Sequence, residues 1–178
     1  ALAVAGTGVA SAGGDGNDTL DAPQDFPGVS TRDHFDITWY GSVELVEGTY
    51  SYDYRGDWAK YDDGDELHLF VHGWNSDDSD DDDIDGGYTM GRALAEQSAE
   101  ETTAVYTWDA DKGGGVDQGW YEAQEIAAQN GPKLANFLLD WQANDGRPVK
   151  LVAHSLGAQV VASAMKNLRA WGYPDVVD

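Results

Sequence analysis

Three short apolar runs punctuate this chain, at residues 66–71 (Glu-Leu-His-Leu-Phe-Val), 102–108 (Thr-Thr-Ala-Val-Tyr-Thr-Trp) and 149–153 (Val-Lys-Leu-Val-Ala). Each is rich in apolar or β-branched residues and bounded by turn formers, the pattern of strands covered on both faces. Helical periodicity fills the intervals. Residues 87–100 carry Met90, Leu94 and Ala95 on one side. Residues 118–143 repeat Trp120, Ala123, Ala127, Leu134, Phe137, Leu138 and Trp141 at helical spacing. Asn130-Gly131-Pro132 predicts a kink or a division there, because proline removes a helical N–H and crowds the preceding turn. Residues 156–171 form a third helix that buries Val160, Val161, Met165 and Leu168; Gly172-Tyr173-Pro174 stops it, and Val176-Val177 reads as the start of a further strand. Strands alternating with helices predict βαβ units, hence an α/β fold with a mostly parallel sheet and helices on both faces.

Before residue 66 the period changes to two. Residues 35–40 and 49–54 alternate apolar and polar positions, with Tyr50, Tyr52 and Tyr54 on one face, and predict an antiparallel hairpin whose aromatics pack. Residues 13–33 are rich in Gly, Asp, Pro and Ser and read as linker or surface loop. The division expected is therefore residues 1–33 as an export-signal remnant and flexible linker, and residues 34–178 as the folded domain. The signal reading rests on the Ala/Val/Gly run of residues 1–14, closing on Val9-Ala10-Ser11-Ala12 as an A-x-A-like cleavage site without a basic segment before it. It implies a secreted or extracellular protein. No stretch is long and apolar enough to span a bilayer, so stable membrane insertion is not expected.

Charge narrows the partners. The 178 residues include 33 acidic and 10 basic side chains, for a formal net charge of -23. Such a surface repels nucleic acid and anionic membranes. The excess is spread along the chain, which suggests a protein solvated in concentrated salt, where screening removes the self-repulsion. The 41% of apolar residues excludes a disordered acidic tail, and the absence of cysteine excludes disulfides and thiolate metal sites.

The chemistry concentrates where the third apolar run ends, in Ala153-His154-Ser155-Leu156-Gly157. A serine between two very small residues, after a strand and before a helix, is the pattern of a nucleophile elbow, G-x-S-x-G, with alanine in the first small position. The competing explanation is a serine that merely caps the following helix. A second motif, Val71-His72-Gly73-Trp74, ends the first apolar run. The two together resemble the α/β-hydrolase superfamily, and more narrowly its lipase and esterase branch, whose oxyanion loop contains a His-Gly dipeptide. The resemblance implies Ser155 as the nucleophile, an oxyanion hole from the backbone N–H groups of Leu156 and Trp74, and His72, Gly73 and Gly157 as loop-shaping residues. It implies a small-molecule ester or lipid as substrate and no cofactor. It leaves the oligomeric state open.

The resemblance is incomplete. The usual order is Ser, then Asp or Glu, then His, yet no histidine follows His154, and Asp175 and Asp178 lie close behind the elbow helix. The expectation is the N-terminal portion of such a domain, truncated before the acid and base. The alternative is a non-catalytic α/β-hydrolase-like domain that binds a ligand or partner. Its one metal candidate is the calcium-loop-like spacing of Asp81, Asp83 and Asp85, where Arg92 stands in place of the closing glutamate; a solvated loop whose last acidic residues favour the following helix N-terminus explains the run more simply. His154 is expected to be packed or hydrogen-bonded away from the serine hydroxyl. His34 and His68 have no spacing that recommends them.

Overall fold

The computed structural model describes residues 20–62, 64–74, 82–97, 101–114 and 119–177. Their elements are β1 (Gly28–Thr31), β2 (Phe35–Ile37), β3 (Val43–Leu45), β4 (Asp53–Arg55), β5 (Leu67–Val71), α1 (Asp82–Glu96), β6 (Thr102–Trp108), α2 (Trp120–Asn144), β7 (Val149–Ala153) and α3 (Gly157–Trp171). One sheet has the order β4-β1-β6-β5-β7, and β2 pairs β3 in a separate ribbon. Neighbours in the main sheet are parallel except at β4, which is antiparallel to β1.

Alternation along the strands builds a core on each face. Leu67, Leu69 and Val71 of β5, with Ala104, Tyr106 and Trp108 of β6, join Ile126, Leu134, Phe137, Leu138, Val160 and Leu168 in one cluster beneath α2 and α3. Phe70 and Val105 point the other way, to Phe26, Ile84 and Tyr88 beneath α1. Each fully buried Leu or Phe stabilises by about 1.5–3 kcal/mol, so both faces contribute. The chain is thus an α/β fold, a mostly parallel sheet with helices on both faces. No helix of the described residues is long and apolar enough to cross a membrane.

Several elements differ from the sequence reading. The segment read as linker contains β1, with Val29 and Thr31 fully buried, so ordered structure begins before residue 34. Residues 35–37 do not pair with residues 49–54: they turn at Thr38–Ser42, where Thr38 N–H donates to Ser42 O at 2.9 Å, and pair with β3. β4 instead closes on β1; Tyr54 within it and Tyr52 just before it lie edge-on against Phe137. α1 begins at Asp82, not at residue 87, and its buried residues are Asp83, Ile84, Asp85 and Gly87; Met90 and Leu94 are half-buried and Ala95 is exposed. Val176 and Val177 pack against the core without strand pairing among the described residues.

α2 is one helix through Pro132, not two. Proline leaves the carbonyl four residues back, Ala128 O, without its helical donor. Ser163 of α3 supplies one, Oγ donating at 2.7 Å. Gly131 permits that approach, since a Cβ there would lie 2.1 Å from Ser163 Oγ. α2 also carries Lys133, fully buried, whose Nζ donates to Gly48 O at 2.5 Å and to His34 Nδ1 at 3.0 Å, while His34 Nε2 faces Asp53 Oδ2 at 3.2 Å. Burial pushes the Lys133 ammonium down to about 8. This network ties the connection between β3 and β4 to α2 and accounts for His34.

Candidate active site

Register brings the two motifs together. β5 and β7 are adjacent and parallel with Val71 opposite Ala153, and His154 N–H continues the ladder to Val71 O at 3.0 Å. The residues that follow, His72-Gly73-Trp74 and Ser155-Leu156-Gly157, must therefore emerge side by side at the carboxyl edge. In parallel α/β sheets this is where ligands bind.

Ser155 is exposed and has φ 50°. A non-glycine residue in the left-handed region is strained by about 1–2 kcal/mol, and such strain persists only where the surroundings hold it. A serine capping a helix has an extended backbone, and α3 shows no side-chain cap hydrogen bond, its N-cap being Leu156. The cap explanation therefore does not describe Ser155. Its hydroxyl stands beside the N-terminus of a 15-residue helix, where the helix dipole favours negative charge.

Two glycines are fixed by close approach. A Cβ on Gly73 would lie 2.9 Å from Ser155 Cβ and 3.1 Å from His154 Nδ1. A Cβ on Gly157 would lie 2.4 Å from the carbonyl oxygens of both Val71 and His72. Gly157 thus lets α3 dock on the end of β5, and Gly73 lets the loop after β5 lie flat against the serine. Leu156 is buried. Among the described residues the backbone N–H groups of Leu156 and Trp74 have no hydrogen-bond acceptor.

His72 is locked. Its Nε2 accepts from Trp108 N–H at 3.0 Å, so the ring proton sits on Nδ1, which faces Gly73 O at 2.9 Å. Trp108 stacks on the ring at 5.5 Å and its indole N–H donates to His72 O at 3.1 Å. Burial pushes the imidazole down to about 3, the nearby Arg32 adding to the effect. The ring is neutral at neutral pH and has no lone pair left for the serine. Trp108 is core, and it holds the His-Gly loop. Trp74 and Trp120 form a half-buried edge-on pair at 5.1 Å.

This lock has a pH consequence. Unfolded His72 takes up a proton near pH 6.5, whereas in the fold it stays neutral down to about pH 3. Between those values the unfolded state binds more protons, so stability falls as pH falls. From pH 6.5 to pH 5 the loss expected is about 1.6 kcal/mol, the slope rising from half to nearly the full 1.36 kcal/mol per pH unit as the unfolded imidazole becomes protonated. Urea unfolding across that range checks it. A His72→Gln variant, less stable at pH 7, should lose this part of the slope.

Among the described residues none of the remaining histidines hydrogen-bonds the serine hydroxyl. His34 is engaged with Lys133 and Asp53. His68 lies in β5, on the face opposite to the Leu67, Leu69 and Val71 side. His154 is exposed, not packed as expected, with its Nδ1 side toward Gly73. Among the described residues it makes no hydrogen bond to Ser155. Of the calcium-like aspartates, Asp83 and Asp85 are helical and not in a loop. Asp81 lies outside the described residues; Asp83 and Asp85 are in the first turn of α1, where a spacing of two points them to different sides. Asp83 Oδ2 pairs with Arg32 at 3.1 Å and Asp85 Oδ1 accepts from Ala22 N–H at 2.8 Å.

The family model described as "Alpha/beta hydrolase of unknown function (DUF900)" matches residues 56–177, well over half of the chain and both site motifs. No curated protein and no solved structure matches it.

Proposed function

The chain belongs to this α/β-hydrolase family of unknown function, and from that premise we propose that it is a serine hydrolase of carboxylic esters, exported and acting in concentrated salt, with Ser155 as nucleophile. The observation that carries the reading is the positive φ of Ser155, held against Gly73 at the carboxyl edge. Ser155 Oγ adds to the ester carbonyl carbon while a base takes its proton. The resulting oxyanion is held by the N–H groups of Leu156 and Trp74, a pair of donors that costs no reorganisation when charge develops. Collapse expels the alcohol, which takes the proton back, and water then hydrolyses the acyl-serine.

The base is assigned to a residue outside these 178. That assignment rests on the four histidines: His34 and His72 are engaged on both ring nitrogens, His68 is on the wrong face, and His154 makes no bond to the serine. The test is labelling of the full-length protein by a fluorophosphonate, located by peptide mapping. Modification confined to Ser155, with turnover of short p-nitrophenyl esters in molar KCl, is the expected result. A folded full-length protein that is neither labelled nor active overturns it and leaves the non-catalytic binding domain.

A further inference from the structure

The opposite edge of the sheet carries a second cluster. Glu66 and His68 are two residues apart where β5 begins, so both side chains leave the same face. β6 lies beside β5 with Leu67 opposite Thr102 and His68 opposite Thr103, which sets Glu101 level with Glu66. The face is the one that α1 covers, not the α2 and α3 face. His68 Nε2 stands 3.6 Å from Glu66 Oε2 and 3.9 Å from Glu101 Oε2. One donor atom from each of the three residues lies within 4.8 Å of the others.

These separations are too long for hydrogen bonds, which for N–H···O end near 3.2 Å. His68 is 8% exposed, and its Nε2, like Glu101 Oε2, has no hydrogen-bond partner among the described residues. A buried imidazole nitrogen aimed between two carboxylates without bonding either is costly unless something sits between them. Metal ligands at 2.0–2.2 Å in a tetrahedral shell lie roughly 3.4 Å from one another, near the two separations from His68 Nε2. We propose that Glu66, His68 and Glu101 bind a divalent transition metal of the zinc class on the α1 face of the sheet, remote from Ser155.

Imidazole with two carboxylates suits zinc and its neighbours, whereas magnesium and calcium prefer all-oxygen shells. A cavity of about 300 Å³ borders the cluster at Glu101, with Thr103, Phe26, Tyr61, Tyr88 and Arg92 also in its wall. Thr103 Oγ1, also without a hydrogen-bond partner among the described residues, can orient a metal-bound water. The Lys150 ammonium pairs with Glu66 Oε2 and competes for that oxygen. Its side chain is half exposed, so an ion can displace it. Bridging the starts of β5 and β6, the metal adds stability by mass action because the unfolded chain lacks the site.

The test is calorimetric titration of the chelator-stripped full chain with zinc in molar KCl, and with cobalt followed by visible absorption. One tight equivalent is expected, with cobalt bands of a four- or five-coordinate site and no competition from excess calcium or magnesium. His68→Ala should weaken binding at least about 100-fold, since even outer-shell changes cost about 10- to 100-fold. Lys150→Met should tighten it. Zinc binding unchanged in His68→Ala, or an octahedral all-oxygen cobalt spectrum, overturns the site and identifies adventitious binding to surface carboxylates. If His68→Ala does not fold, the cobalt spectrum of the unaltered chain decides alone.

Discussion

Ser155→Ala in the full-length protein is expected to lower kcat/KM for p-nitrophenyl esters by roughly 10⁴- to 10⁶-fold, the range for removing a serine nucleophile. Stability should change by less than about 0.5 kcal/mol, because the side chain is exposed and caps nothing. The backbone strain is untouched, since alanine at φ 50° is no freer than serine. Ser155→Gly separates the two effects. It should be as inactive as the alanine variant, yet about 1 kcal/mol more stable, because glycine adopts a positive φ without the Cβ clash. Equal activity in Ser155→Ala and the parent would remove the enzyme reading while leaving the fold unaffected. Loss of activity together with a large loss of stability would mean that the serine is structural.

The part of this site legible in the sequence was the part written in local pattern. Ala153-x-Ser155-x-Gly157 and His72-Gly73 follow strands whose apolar runs are near-continuous, and those strands are β7 and β5. That the motifs meet is a matter of strand order: β5 and β7 are neighbours although β6 lies between them in the chain. No spacing in the sequence encodes that neighbourhood. The role of Trp108 was hidden for the same reason. A tryptophan at a strand end reads as core, and only adjacency of β6 to β5 puts its N–H on His72.

Elsewhere the competing physics was tertiary. Gly28-Val29-Ser30-Thr31 has one strongly apolar residue and follows Pro27, so nothing local marks a strand, yet burial between β4 and β6 makes it one. Pro132 is a valid helix-breaking signal that lost to packing, because Ser163 of another helix satisfies the carbonyl it strands. The end of the aspartate run was legible as carboxylates at a helix N-terminus, but their partners were not. Its last members are helical, with Asp83 on Arg32 and Asp85 on Ala22; carboxylates in a first turn favour the helix dipole. A pairing with residues 51 and 63 positions away cannot be read from spacing.

Gly157→Ala sets two of these levels against each other, and magnitudes decide the sign. Gly157 begins α3 with no positive φ, so local propensity alone predicts that alanine stabilises by up to about 1 kcal/mol. The packing predicts the reverse. A Cβ at 2.4 Å from two carbonyl oxygens cannot be relieved by rotating a side chain, because both atoms are backbone at the end of β5. Either α3 or the His72-Gly73 loop must retreat, at an expected cost of roughly 3 kcal/mol or more, above the usual range for overpacked side chains. Both retreats separate Leu156 N–H from Trp74 N–H, and a displacement of about 1 Å at a reacting centre costs on the order of 100-fold in rate. Gly172→Ala is the control: its φ is +91° and nothing lies within 4 Å of an added Cβ. It should lose only about 1 kcal/mol from conformation and keep its activity. Urea midpoints and kcat/KM of the two variants side by side give the answer. A stabilised, active Gly157→Ala would mean that α3 and β5 do not meet as described, and the oxyanion hole proposed on their contact would fall with them.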